Sequence, residues 1–189
     1  MNKRMTLRAL TEGAVMVALS MGLDFAMKFI PSLPQGGSIT LGMIPILFYA
    51  MRWGVGQGIL CGFVYGILQM ILDGAYAWGW QSLLLDYLVA YAALGLGGLF
   101  RPKKPGFVYA DVVLGCVARF LVHFFSGVTI YRITEPTEVL GMTFLNPYTY
   151  SLVYNGSYMG ISMILTIIVF VLLWRPMGKF IRAEDLKKS

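Results

Sequence analysis

Apolar positions in this chain fall into six long blocks separated by short polar breaks, at about 7–30, 39–52, 54–73, 80–100, 107–131 and 149–174. A helix rises 1.5 Å per residue, so about 20 apolar residues cross the hydrocarbon core of a bilayer. The pattern predicts an all-α membrane protein, a six-transmembrane-helix bundle forming a single transmembrane domain over 1–189. The block 39–52 is the weak one, being short and containing Pro45, which predicts a kink or an incomplete crossing. The longest loop, about 132–148, is too short to hide a soluble domain.

Basic residues at the ends of these blocks set the orientation. With the N-terminus inside, Lys3, Arg4, Arg8, Arg52, Arg101, Lys103, Lys104 and every base from Arg175 to Lys188 fall on the inner side. Arg132 is alone outside, and Lys28 and Arg119 lie within blocks. This positive-inside asymmetry requires an even number of crossings, so 39–52 counts as one, and both termini are expected in the cytoplasm.

Composition agrees with the pattern: 58% of the 189 residues are hydrophobic and 13% charged, with mean hydropathy +0.71. A soluble domain carries about 25% charged residues. The net charge of +6 suits a nucleic-acid binder in size, but its placement at helix ends marks topology, and no nucleic-acid partner is expected. No cleavable signal peptide is expected, because the apolar stretch after Met1–Arg8 runs on without an A-x-A site. Cys61 and Cys116 have no CxxC partner or nearby His, so neither a metal site nor a cofactor is expected.

Two stripes of small residues recur every four positions: Ala14, Ala18, Gly22 and Ala26 on the first helix, and Gly54, Gly58, Gly62 and Gly66 on the third. Such ridges let helix backbones approach closely where lipid offers no hydrophobic drive for association. The third-helix stripe reads as packing within the bundle. The first reads either that way or as a face for another membrane subunit.

Ionisable groups at membrane depth are expensive and therefore informative. Glu12 and Asp111 lie near inner ends and can reach the interface, Asp24 and Lys28 form an i,i+4 pair, and Arg119 needs a partner that the pattern does not identify. Asp86, His123 and Asn155 instead converge. They lie on the fourth, fifth and sixth helices about 9, 12 and 9 Å below the outer ends. Tyr76, Trp78, Trp80, Tyr87, Tyr131, Tyr148, Tyr150 and Tyr154 crowd the same level; Trp78, Trp80 and Tyr148 are accounted for by an interfacial belt. One carboxylate, one imidazole, one amide and several phenols suit a flat, nitrogen-rich, cationic ligand. A phosphate site would want Arg and Lys clusters, which the outer face lacks.

With these residues in place, the chain resembles the thiamine-specific substrate-binding (S) subunits of energy-coupling factor (ECF) vitamin transporters. The likeness covers essentially the whole chain. It rests on Pro34-Gln-Gly-Gly-Ser-Ile-Thr-Leu-Gly42, Leu84-Leu-Asp-Tyr-Leu-Val-Ala-Tyr91, Leu94-Gly-Leu-Gly-Gly-Leu-Phe100, Ala118-Arg-Phe-Leu-Val-His-Phe-Phe-Ser-Gly127 and Tyr150-Ser-Leu-Val-Tyr-Asn-Gly-Ser157. The resemblance implies a bacterial plasma-membrane subunit that binds thiamine near the outer surface, under the loop joining helices one and two. By that likeness Asp86, His123, Tyr131, Tyr150 and Asn155 contact the vitamin, with Tyr76 and Tyr87 as further candidates. Some relatives carry Glu where this chain has Asp86, and Trp where it has Tyr131. The loop 31–38 has no Trp to cover the ring, and Gln35 is assigned part of that role.

The likeness also implies partners. Ala14 and Ala18 match the ridge that docks on a shared transmembrane coupling subunit, which works with two cytoplasmic ATPases. The chain itself has no GxxxxGK[ST] loop, HExxH, GxSxG or paired intramembrane aspartates, so no enzyme activity is expected and ATP is used only by partners. The competing reading is a stand-alone proton-coupled transporter using Asp86 or His123 as a relay, against which stands the lack of inverted repeats and broken midplane helices.

Overall fold

The computed structural model describes residues 3–33, 36–74, 77–101, 105–133 and 135–186. Among the described residues, five regular helices carry the fold: α1 (Lys3–Met27), α2 (Met43–Trp53), α3 (Val55–Leu72), α6 (Pro105–Thr129) and α7 (Pro147–Ile181). A fourth, irregular rod lies between α3 and α6. It runs from α4 (Trp80–Ser82) through a π-helix (Leu83–Val89) and α5 (Ala90–Ala93) into a 3-10 turn (Leu94–Gly98). The long loop holds a small antiparallel hairpin, β1 (Thr137–Val139) and β2 (Met142–Phe144), paired Thr137 to Phe144 and Val139 to Met142. Its turn residues Leu140 and Gly141 have φ of 53° and 72°, the paired positive values of a type I′ turn. A 3-10 turn, Glu184–Leu186, follows α7.

Among the described residues, four segments are long and apolar enough to cross a membrane: Leu7–Met27, Val55–Leu72, Gly106–Thr129 and Pro147–Leu186. The expected block 39–52 behaves differently. Its helix has 11 residues, about 16 Å of rise, roughly half a hydrocarbon core. Met43 to Arg52 are all buried, so α2 is a central pillar wrapped by the other helices. Pro45 sits in its first turn, where the missing N–H has no intrahelical partner to lose. The last helix overruns the expected 149–174. Asn146 caps it by accepting from the Tyr148 amide at 2.8 Å, and it continues past Pro176 to Ile181.

The two small-residue stripes do opposite things. A Cβ at Gly62 or Gly66 would collide with the carbonyls of Tyr91 or Tyr87, and Gly58 faces Gly95. The α3 stripe therefore packs backbone to backbone on the fourth rod. Ala14, Ala18, Gly22 and Ala26 are all exposed, and a Cβ at Gly22 would meet nothing within 4 Å.

At the end of the bundle nearest the chain termini, a buried ionic knot joins three helices. The Arg52 side chain, 1% exposed, pairs with Glu12 at 2.6 Å and Asp185 at 2.6 Å, and donates to the Phe180 carbonyl at 2.9 Å. Trp53 donates to Glu12 at 2.7 Å, and Arg8 bridges Glu12 and Asp185. Losing Arg52 would leave the part-buried Glu12 and Asp185 sharing Arg8 as their cation. Arg52 is thus no flanking base, and Glu12 is held by its neighbours instead of reaching an interface. Asp111, also expected at the interface, is fully buried, and its Oδ1 caps the Phe100 amide at 3.0 Å beside the 3-10 turn.

The stripes make a paired prediction. Gly62→Val should lower Tm in detergent by about 2–12 °C, the effect of about 1–3 kcal/mol of overpacking at about 2–4 °C per kcal/mol in a chain this size. Gly22→Val should leave Tm within about 2 °C, and equal losses at both sites would contradict the packing described.

Candidate functional site

The π-helix places the first site residue. Its i→i+5 spacing widens the rod over Leu83–Val89, the stretch that carries Asp86 and Tyr87, and such turns recur at functional sites. The glycines of α3 admit the widened backbone, since they meet the Tyr87 and Tyr91 carbonyls without side chains in between.

The Asp86 carboxylate is held from two rods. Its Oδ2 accepts from Ser82 Oγ and Ser126 Oγ, each at 2.9 Å, and its Oδ1 lies 3.1 Å from His123 Nδ1. Ser82 is in turn 2.6 Å from the Tyr131 hydroxyl. A carboxylate can only accept here, so Nδ1 carries the imidazole proton and Nε2 of the neutral ring is an acceptor. That Nε2 is buried and has no partner among the described residues. The site therefore presents a fixed negative group and an orphaned acceptor side by side.

These groups open into one cavity of about 820 Å³, walled by α1, residues 30–33 and 36–40, α3, the fourth rod, α6 and α7. Asp86, Tyr87, His123, Tyr131, Tyr150 and Asn155 all line it. Tyr150, Tyr154 and Tyr158 form a ladder at helical spacing on α7, with ring centroids 5.7 and 5.8 Å apart. Asn155 is locked within the wall, donating to the Ser151 carbonyl at 3.0 Å and accepting from the Tyr158 hydroxyl at 2.7 Å. Trp78, placed by pattern in the interfacial belt, has its ring 5.3 Å from that of Tyr131 while remaining well exposed. Gln35 and Tyr76 lie outside the described residues.

The cavity also holds residues that the pattern left unassigned. Arg119 is buried one helical turn from His123, with its guanidinium 4.2 Å from the centroid of Tyr91. A cation over an aromatic face gains about 2 kcal/mol or more when desolvated, which offsets part of the cost of burying the charge; its Nε has no hydrogen-bond partner among the described residues. Lys28 does not pair with Asp24, its i,i+4 neighbour, but reaches Asp73 at 3.9 Å. Burial raises the Asp73 carboxyl above its ordinary value. Asp24 is bound instead by Thr40, Gly42, Tyr65 and Gln69. Ser82 and Ser126 were legible as the residues one turn before Asp86 and one turn after His123, and the tyrosine ladder as an i,i+4,i+8 series.

Among the described residues no cluster of three or more His, Cys, Asp or Glu could hold a metal ion. What the arrangement can do is bind: a carboxylate, an acceptor nitrogen and aromatic faces converge in a cavity of small-molecule size.

Comparison with known proteins follows from this geometry. A family model described as "Thiamine transporter protein (Thia_YuaJ)" matches residues 10–181. The thiamine transporter ThiT of Bacillus subtilis strain 168 is 33% identical, the match covering 97% of this chain and 99% of that protein. The thiamine transporter ThiT of Lacticaseibacillus paracasei is 30% identical over 99% of this chain and 96% of its own length. A solved structure of ThiT from Listeria monocytogenes superposes with TM-score 0.79 at 24% identity, covering 95% of this chain and 99% of that one, and shares its fold.

Proposed function

We infer the function from one premise: this chain belongs to the thiamine transporter protein family. It is a multi-pass membrane protein, the high-affinity thiamine-binding S-component of an ECF-type transporter, and its work is transport, not catalysis. The observation that carries this reading to particular residues is the Asp86–His123 pair in the cavity wall. Thiamine joins an aminopyrimidine, rich in N–H donors and ring nitrogens, to a cationic thiazolium. Asp86 offers negative charge to such a molecule, and His123 Nε2 offers an acceptor that otherwise stays unpaid in a buried site. Tyr87, Tyr131 and Tyr150 supply faces on which flat rings stack, and Asn155 fixes the α7 wall. Gln35 and Tyr76 remain assigned to the same site by resemblance.

The basic residues support a cytoplasmic location for both termini, in a bacterial plasma membrane, with the cavity toward the outside. Delivery inward requires partners, a transmembrane coupling subunit and two ATPases. The exposed Ala14 and Ala18 are the docking ridge, and beside them an apolar groove of about 410 Å³, lined by Leu10, Leu60, Val64 and Leu68, gives a partner helix room to approach.

Titrating the purified chain with thiamine and following tryptophan fluorescence should give saturable binding at micromolar or lower ligand. Asp86→Ala should weaken it more than tenfold, and unchanged affinity would remove the carboxylate from the site. Ala14→Trp with Ala18→Trp should cut thiamine uptake in cells containing the partners at least tenfold while leaving the titration within threefold. Full uptake by that double variant would exclude the ridge as the docking face.

A further inference from the structure

Asp24 lines the cavity, and a second carboxylate facing a cationic ligand invites the reading that it binds the ligand. Its hydrogen bonds argue otherwise. Oδ1 accepts from Thr40 Oγ1 and from the Gly42 amide at 3.0 Å, and Oδ2 accepts from the Tyr65 hydroxyl and from Gln69 Nε2. A carboxylate offers about four lone-pair sites, so these four donors fill it.

Two of the four donors lie on the chain segment entering α2. Thr40 and Gly42 belong to it, while Tyr65 and Gln69 come from α3, so Asp24 ties the end of α1 to both. The far side of the same segment is held by α7. The Thr40 amide donates to Ser162 Oγ at 3.0 Å, and the Gly37 amide donates to the Tyr154 hydroxyl at 2.9 Å. There is no slack in this packing. A Cβ at Gly37 would lie 2.7 Å from the Tyr158 ring, and one at Gly42 would run into Tyr65 and Asp24. Gly37, Ser38, Ile39 and Thr40 are themselves cavity wall.

We propose that Asp24 is a positioning residue for the ligand site: it fixes residues 37–42 as one wall of the cavity and does not touch the ligand. The inference rests on the thiamine reading given above. A buried carboxylate with four donors holds this wall far more firmly than a neutral acceptor would, because charge-assisted hydrogen bonds are roughly twice as strong.

The test moves the carboxylate without moving the wall. In Asp24→Asn, the amide N–H₂ takes the place of a charged acceptor facing Tyr65 and Gln69, so the tie to α3 falls back on rearranged neutral hydrogen bonds, roughly half as strong. In Asp24→Asn with Gln69→Glu, the carboxylate sits on α3, accepts from the new amide and from Tyr65, and the remaining amide oxygen keeps Thr40 and Gly42. Thiamine titration of the full chain in detergent should show Asp24→Asn weakened tenfold or more and the swapped double variant restored to within threefold of wild type. Thr40→Val, which removes one donor and keeps the segment's backbone bonds, should weaken binding three- to tenfold. It carries the test if Asp24→Asn does not fold. A folded double variant as weak as Asp24→Asn would overturn the proposal in favour of direct contact with the ligand. Wild-type affinity in Thr40→Val or in folded Asp24→Asn would overturn it in favour of a role in stability alone. Absence of binding by the wild-type chain is a separate outcome, which overturns the thiamine reading and this inference with it.

Discussion

A carboxylate withdrawn from water must recover its hydrogen bonds from the protein, and at membrane depth no solvent makes up a shortfall. That requirement organises this molecule. Asp86 recovers its bonds from Ser82 one turn before it and from Ser126 and His123 on α6. Asp24 draws on the segment before α2 and on α3. Glu12 and Asp185 close around Arg52 at the opposite end of the bundle. Each of these carboxylates is therefore also a cross-link between elements far apart in sequence.

The cross-links work because the backbones can come close enough. Glycines on α3 bring that helix against the fourth rod, whose π-helix carries Asp86. The short α2 fills the middle, buried from Met43 to Arg52, with one carboxylate knot near each of its ends. The cavity is walled by these cross-linked elements, and its unfilled hydrogen-bonding demand falls on two side chains of α6, His123 Nε2 and Arg119 Nε. A preorganised wall spares a ligand the cost of ordering it, which is how a site with few polar groups reaches high affinity.

Much of this was legible in the chain. Hydropathy blocks located the helices, and helix direction put Asp86, His123 and Asn155 at one level; all three line the same cavity. The four-residue periods identified both small-residue stripes, though only the packed structure separates the buried α3 stripe from the exposed one on α1. Other features depend on contacts between distant segments, which no local pattern records. Arg119 finds Tyr91, Lys28 passes over Asp24 for Asp73, and Arg52, counted by its position as a flanking base, turns inward to a charge knot. The π-helix was equally invisible, since an extra residue in a turn leaves hydropathy unchanged. The hairpin at 137–144 escaped notice because its strands are three residues long.

On the proposed function, the vitamin is recognised at the Asp86–His123 pair, and a crystal structure of the chain with thiamine bound tests this directly. A nitrogen of the ligand is expected within hydrogen-bond distance of Asp86 or His123 Nε2, with its rings against the tyrosines of the cavity. Thiamine seated elsewhere, with Asp86 still bound only to Ser82, Ser126 and His123, would contradict it.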